Sequence, residues 1–317
     1  MPNHSDKKKR NLVTLYLELS KARLTALVVL TTAVGFIMGA PALPASAWAR
    51  LLLTIAGTSL AAAGANALNQ LLEKRRDAMM HRTRGRPLPS GAMSPMHGLL
   101  FALAAMYGGL AILGWTVSLE AMGLALATIL IYILVYTPLK TRSTLNTLVG
   151  AVCGAIPPMI GWVAASGSLD RGAWILGGLL FVWQIPHFFA LAWMYRRDYE
   201  RAGFKMLPVM DPNGRLTGQV VVLMSLGLLP LGLAATLFGL AGWVYAVGSI
   251  ALGTWFLVQG LRLYATRSDE SARRLFLASI AYLPLLLGLM MLDRNQAPLR
   301  LTPQMAAVTT ELDVPAP

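Results

Sequence analysis

The sequence predicts an all-α polytopic membrane protein of nine spanning helices, with the N-terminus cytoplasmic and the C-terminus outside. Three observations carry this prediction. Of 317 residues, 56% are hydrophobic and 13% are charged, against roughly 45–50% and about 25% in soluble domains. Apolar runs long enough to cross a hydrocarbon core of about 30 Å recur along the chain, and runs this continuous span as helices. Finally, positive charge sorts by side: all of the 27 Lys and Arg residues except Arg50, Arg171, Arg294 and Arg300 fall in the tail and loops assigned to the cytoplasm. That sorting accounts for most of the net charge of +13 as topology and contact with anionic lipid, so nucleic-acid binding is not needed to explain it.

A basic tail, 1–11, is expected to be disordered, and 12–294 to form a single domain. The first apolar run, 24–40, contains Gly35 and Gly39 at the spacing that lets helices pack closely. Ala45-Ser46-Ala47 behind it has the small-residue form of a signal-peptidase site, but the run exceeds an h-region of about 7–15 residues and is expected to be retained. The second run, 51–72, is rich in Ala and ends in polar residues. Runs at 96–113 and 121–139 follow a basic, Pro-containing loop. The run at 145–165 carries Gly150, Gly154 and Pro157-Pro158, and that at 173–195 carries Pro186, so both are expected to bend. Runs at 218–238, 243–261 and 275–292 complete the bundle before a tail, 295–317, expected to be disordered. The lone Cys153 excludes an internal disulfide and reads as a small packing residue.

Two polar stripes interrupt this pattern. Asn66, Asn69, Glu73 and Asp77 are spaced +3, +4 and +4, which places them on one helix face within an arc of roughly 80°. Carboxylates one turn apart repel unless cations lie between them, and hard oxygen ligands suit Mg²⁺, which recruits phosphate oxygens to complete its shell. The competing explanation is an amphipathic helix end paired to Lys74, Arg76 or His81. It leaves the deeper amides without a reason, because buried amides need partners of their own. The loop that follows offers Arg82, Arg84 and Arg86 to phosphate oxygens.

In the sixth run, Trp183, His187, Met194 and Asp198 form a second stripe, flanked by Tyr195 and Tyr199, which can donate hydrogen bonds or serve as interfacial tyrosines. A polar head near Asp198 and a large body near His187 would fit it. His187 is either a hydrogen-bonded structural residue or a ligand, imidazole being a usual partner of haem iron. Between the fourth and fifth runs, Lys140 and Arg142 can complete a cationic rim, or simply obey the charge rule.

The pattern Asn66-xx-Asn69-xxx-Glu73-xxx-Asp77 followed by Arg-Thr-Arg-Gly-Arg-Pro-Leu-Pro-Ser-Gly resembles the first signature of the UbiA-type intramembrane prenyltransferases. Tyr-Thr-Pro-Leu-Lys at 136–140, the block at 150–162 and the block at 185–209 resemble those of the branch that acts on haem. The resemblance implies nine helices around a central cavity in a bacterial inner membrane. It implies Mg²⁺-dependent transfer of a farnesyl group from farnesyl diphosphate to a vinyl group of haem B, with water added to give haem O. Glu73, Asp77 and Asp198 are the expected catalytic and metal-holding acids, with Asn69 as a further ligand. Asn66, Asn69, Arg82, Arg84, Arg86, Lys140, Arg142, Tyr195 and Lys205 are expected at the diphosphate, and His187 at the haem. A haem A synthase or an oxidase is an implied partner. One departure is that Asp198 is followed at +4 by Ala202 rather than by a second acid. Two other readings remain: prenylation of a quinone precursor such as 4-hydroxybenzoate, which would use the same metal and phosphate groups, and a transporter with polar stripes at its helix ends.

Overall fold

The structure is a computed structural model and describes residues 11–40 and 43–294. The expected terminal tails lie outside the described residues, apart from Asn11, whose side chain accepts a hydrogen bond from the Val13 N–H and caps the first helix. A short helix, α1 (Leu12–Leu19), leads into α2 (Ala22–Gly39), α3 (Ala45–Leu72) and the single turn α4 (Lys74–Asp77). After a long loop come α5 (Pro95–Ile112), extended by a π-helical stretch Leu113–Val117, and α6 (Leu119–Leu130), extended by a second π-helical stretch Ile131–Tyr136 and the turn α7 (Thr137–Leu139). Then follow α8 (Asn146–Ser166), α9 (Arg171–Met194), the short α10 (Arg196–Arg201) and α11 (Leu207–Met210), and finally α12 (Arg215–Leu237), α13 (Trp243–Thr266) and α14 (Asp269–Leu292). Among the described residues nine helices are long and apolar enough to cross a membrane: α2, α3, α5, α6 with α7, α8, α9, α12, α13 and α14.

Helix boundaries follow capping chemistry more than hydropathy. The last helix starts at Asp269, six residues before the apolar run, because Ser268 accepts from the Ser271 N–H and Asp269 and Glu270 suit the positive end of the helix dipole. Arg273 and Arg274 therefore sit in the helix rather than in a loop, and Arg274 pairs with Glu270 one turn back. Ser94, Ser118 and Asp170 cap α5, α6 and α9 in the same way. Ala45–Ala47 form the first turn of α3.

Small residues set the closest helix contacts. A Cβ at Gly35 would overlap the Pro158 carbonyl, and one at Gly161 would overlap the Thr32 carbonyl, so α2 and α8 cross backbone to backbone. Gly39 on α2 lies against Trp162 in the same crossing. Both α8 and α9 continue through their prolines. Around this crossing, α3 packs on α5 and α2, and α6 and α9 pack on α8, while α12 and α14 buttress α9 from behind.

The alternating helices bring residues 12–21 and the loops at 73–94, 140–145 and 195–214 to one end of the bundle. There they cross-link: Lys205 N–H donates to the Lys140 carbonyl at 2.7 Å, Asn146 Nδ2 to the Lys205 carbonyl at 2.8 Å, and Arg82 N–H to Asp198 Oδ2 at 3.3 Å. The other end is tied by Arg50 to the Val117 carbonyl and by Arg294 to the Ile37 and Ala40 carbonyls.

Candidate active site

A cavity of about 1070 Å³ opens among α1, α2, α3, α6, α8 and α9, larger than the ~300–1,000 Å³ of a typical single-ligand pocket. No residue of α12, α13 or α14 lines it. Its wall is polar at the charged end, where Lys21, Asn66, Glu73, Asp77, Arg82, Arg86, Tyr132, Tyr136, Lys140 and Tyr199 converge. The rest is apolar, from Leu27 and Val28 on α2 across to Trp183, Phe188 and Leu191 on α9.

Glu73 follows the last residue of α3 and Asp77 closes α4, yet the backbone barely deviates: Glu73 N–H bonds to the Asn69 carbonyl and Asp77 N–H to the Glu73 carbonyl. The two carboxylates stay on one face and are almost fully buried, 4% and 1% exposed. Each is matched by a cation lining the same cavity. Lys140 Nζ lies 2.8 Å from Glu73 Oε1 and 2.9 Å from Oε2, and Arg86 Nη1 lies 2.7 Å from Asp77 Oδ2. Such pairing offsets the cost of taking carboxylates out of water. Burial opposes the charge on Lys140. The ring of Tyr136 beneath it, 4.6 Å from Nζ, and the Glu73 carboxylate outweigh that, so its pKa is raised above the ordinary lysine value.

The π-helical stretch Ile131–Tyr136 arranges the aromatic side of this cluster. Thr137 Oγ1 donates to the Tyr132 carbonyl five residues back, and Tyr132 and Tyr136 stack with centroids 5.4 Å apart. The wider turn shifts the helix phase so that both rings and Lys140 reach the same cavity. Lys21 completes the group from the junction of α1 and α2. Its backbone is left-handed, φ 51, a conformation that costs of order 1 kcal/mol outside glycine and turns Nζ inward. Nζ donates to Asn69 Oδ1 at 2.8 Å and lies 3.2 Å from the Tyr132 hydroxyl. Burial first, then the charges of Arg86 and Lys140, lower the Lys21 pKa to about 7.

The structure sorts the residues expected from sequence. Asn66, Glu73, Asp77, Arg82, Arg86, Lys140 and His187 line the cavity. Asn69 does not: it is wholly buried, its Oδ1 held by Lys21 and its Nδ2 donating to Thr137 Oγ1. Its amide braces the cluster, with both ends held by Lys21 and Thr137 at the position expected from sequence for a metal ligand. Arg84, Arg142 and Lys205 are exposed and outside the lining, and Lys205 contributes only its backbone. The stripe from Trp183 to Asp198 is also interrupted. Helix α9 ends at Met194, Tyr195 takes φ −111 and ψ 22, and Asp198 belongs to α10. Asp198 lies outside the lining and accepts from Arg82 N–H and from Arg201 Nη1 at 3.1 Å. Tyr195 likewise lies outside it, with the Arg82 guanidinium 5.5 Å over its ring. Arg82 also donates to the Tyr199 hydroxyl at 3.2 Å.

Sequence reasoning gave no site role to Lys21 or Tyr132. A Lys before an apolar run reads as a topology signal, and a Tyr within one reads as lipid-facing. Only the left-handed turn and the π-helical stretch bring them together.

A multi-helix membrane bundle with a cavity that is acidic and basic at one end and apolar beyond defines an enzyme that handles an amphiphile with an anionic head. The chain belongs to the UbiA prenyltransferase family, which it matches over residues 28–283. It is 44% identical over 288 residues to the protoheme IX farnesyltransferase of Solibacter usitatus (strain Ellin6076), covering 88% of this chain and 98% of that one. It is 44% identical over 273 residues to the mitochondrial protoheme IX farnesyltransferase of Homo sapiens, covering 86% of this chain and 60% of that one. Among solved structures, a digeranylgeranylglyceryl phosphate synthase shares the fold with a TM-score of 0.74 at 15% identity, over 89% of this chain and 98% of that one. A UbiA homolog from Archaeoglobus fulgidus bound to GPP and Mg²⁺ shares it with a TM-score of 0.61 at 16% identity, over 87% and 99%.

Proposed function

We propose that the chain transfers the farnesyl group of farnesyl diphosphate to a vinyl group of haem B, with addition of water, to give haem O and diphosphate. The observation that carries this reading is the identity of up to 44% to protoheme IX farnesyltransferases across nearly the whole length of the bacterial relatives. The cavity supports it, because it has an ion-lined head and room beside it for two large apolar bodies. The charged loops at that end support a reading in which the head of the cavity faces the cytoplasm from a bacterial inner membrane, by the charge rule.

The donor set fits a magnesium ion. Glu73 and Asp77 are hard oxygen ligands one turn apart and buried, and no group of three or more His, Cys, Asp or Glu gathers among the described residues. Mg²⁺ characteristically uses one or two carboxylates and takes its remaining oxygens from water and phosphate. When bound, it would supply Lewis-acid neutralisation of the diphosphate.

The remaining steps belong to the side chains. Arg86, Lys140, Arg82 and Lys21 surround the head with donors that stabilise charge as the C1–O bond of farnesyl diphosphate breaks and its electron pair leaves with the diphosphate. The rings of Tyr132 and Tyr136 stack on each other and carry Lys21 and Lys140, which keeps both ammonium groups at the head where departure of the diphosphate leaves the allylic cation. The apolar wall keeps bulk water from capturing it. The vinyl group of haem then forms the new C–C bond, and water adds to the adjacent carbon and loses a proton. Haem and quinone extracts from cells lacking the gene, and from the same cells with it restored, test the reading. Return of haem O supports it, whereas return of a quinone with unchanged haem overturns it.

A further inference from the structure

His187 lines the cavity from α9, about 10 Å of helix rise before the end of that helix at Met194. Its imidazole is fixed on three sides. Trp183 stacks on it at 5.2 Å and Phe276 of α14 at 4.9 Å, with interplanar angles of 23° and 27°. The Nδ1 edge lies 2.7 Å from Ser279 Oγ, also on α14. Ser279 itself is fully buried and outside the cavity lining.

Hydrogen-bond accounting assigns the tautomer. Ser279 Oγ lies 2.6 Å from the Phe276 carbonyl, which can only accept, so the serine hydroxyl proton is committed there. Ser279 Oγ is then the acceptor toward His187, and Nδ1 carries the ring proton. Nε2 is left with its lone pair and has no hydrogen-bond partner among the described residues. With Trp183 and Phe276 stacked on the ring, Phe188 edge-on at 5.6 Å and Nδ1 engaged by Ser279, Nε2 is the ring nitrogen left free for a guest of the cavity that His187 lines. The Ser279 carbonyl meanwhile accepts from Trp183 Nε1 at 3.0 Å, which locks the stacking partner to the same residue.

We propose that His187 Nε2 is an axial ligand to the iron of the acceptor haem, and that Ser279 is the positioning residue that holds the imidazole in the required tautomer. This rests on the proposed haem substrate. The arrangement is that of metal-binding histidines generally, whose second nitrogen donates to a fixed acceptor that sets ring orientation and ligand basicity. Anchoring the iron on α9 would hold the porphyrin in the apolar body of the cavity, with its periphery turned towards the ion-lined head. It also gives α14, which contributes nothing to the lining, a part in acceptor binding.

The test uses the full-length protein in detergent, haem B without farnesyl diphosphate, and three variants: His187→Ala, Ser279→Ala and Ser279→Thr. Wild type is expected to show a histidine-ligated haem by electron paramagnetic resonance and an iron–histidine stretch by resonance Raman. His187→Ala should lose both signatures and regain ligation with added imidazole. Ser279→Ala should weaken haem binding about 10–100-fold and shift the iron–histidine frequency. Ser279→Thr, which keeps the hydroxyl, should restore both. Farnesyl diphosphate binding by each variant serves as the control for folding. If His187→Ala retains the wild-type haem spectrum, or Ser279→Ala leaves affinity and frequency unchanged, the proposal is overturned. A wild type that makes haem O but shows no His187-dependent ligation defeats only this inference. A wild type that binds haem through His187 but never farnesylates it defeats the proposed reaction instead.

Discussion

Replacing Lys140 by Met separates two roles that the structure gives one side chain. Lys140 Nζ lies 2.8 Å from Glu73, which at an effective dielectric of ~20 is a gross attraction of about 6 kcal/mol. Removing the cation leaves Glu73, 4% exposed, without a counter-charge, and loss of one partner of a buried pair costs about 3–5 kcal/mol. The Lys140→Met protein should therefore melt earlier in a fixed detergent, read by intrinsic tryptophan fluorescence. Adding Glu73→Met removes the stranded carboxylate and should recover most of the lost stability, because apolar replacement of a whole buried pair is often neutral. Activity should not recover. A lost donor to the leaving diphosphate costs roughly 10²–10³ in turnover, and the second substitution also removes an acidic group from the head of the cavity. A double variant that regained haem O formation along with stability would refute the argument, since Lys140 would then serve only to neutralise Glu73.

Further expectations follow from the same geometry. Arg86→Ala should cost at least about 10² in turnover, because Arg86 lines the cavity and holds the buried Asp77, whereas Arg84→Ala, an exposed change off the lining, should stay within about twofold. Equal effects on initial rate would contradict the assignment. Lys21→Met should raise the KM for farnesyl diphosphate and also lower stability by about 1–3 kcal/mol, because it removes a donor at the head of the cavity and strands the buried Asn69 Oδ1; an unchanged KM and melting point would contradict the assignment. Gly35→Ala should destabilise by about 1–3 kcal/mol through overlap with the Pro158 backbone, while Gly108→Ala, with nothing within 4 Å, should stabilise by roughly 0.5–1 kcal/mol. Melting points of the two proteins with the opposite order would show that the α2–α8 crossing is not that close.

The spanning helices were legible because hydropathy and charge sorting are written residue by residue, and the Glu73–Asp77 pair because helical spacing survives the small break at Glu73. Elsewhere the structure departs from the local pattern for identifiable reasons. A wheel drawn through Asp198 assumed an unbroken helix, but α9 stops at Met194 and Tyr195 redirects the chain, leaving Asp198 outside the cavity lining. Asn69 sits on the right face, yet Lys21 and Thr137 occupy its amide. Tyr132 and Tyr136 depend on a π-helical phase shift that no periodicity announces. Ser279 lies 92 residues from His187 in an ordinary apolar run, so only the packing of α14 on α9 reveals it.

The most direct measurement is the mass of the porphyrin formed when purified protein, Mg²⁺, farnesyl diphosphate and haem B are incubated in H₂¹⁸O, with a parallel reaction in EDTA. The account predicts haem bearing one farnesyl group and one ¹⁸O, with no product in EDTA. Unmodified haem from folded protein that binds farnesyl diphosphate would contradict it.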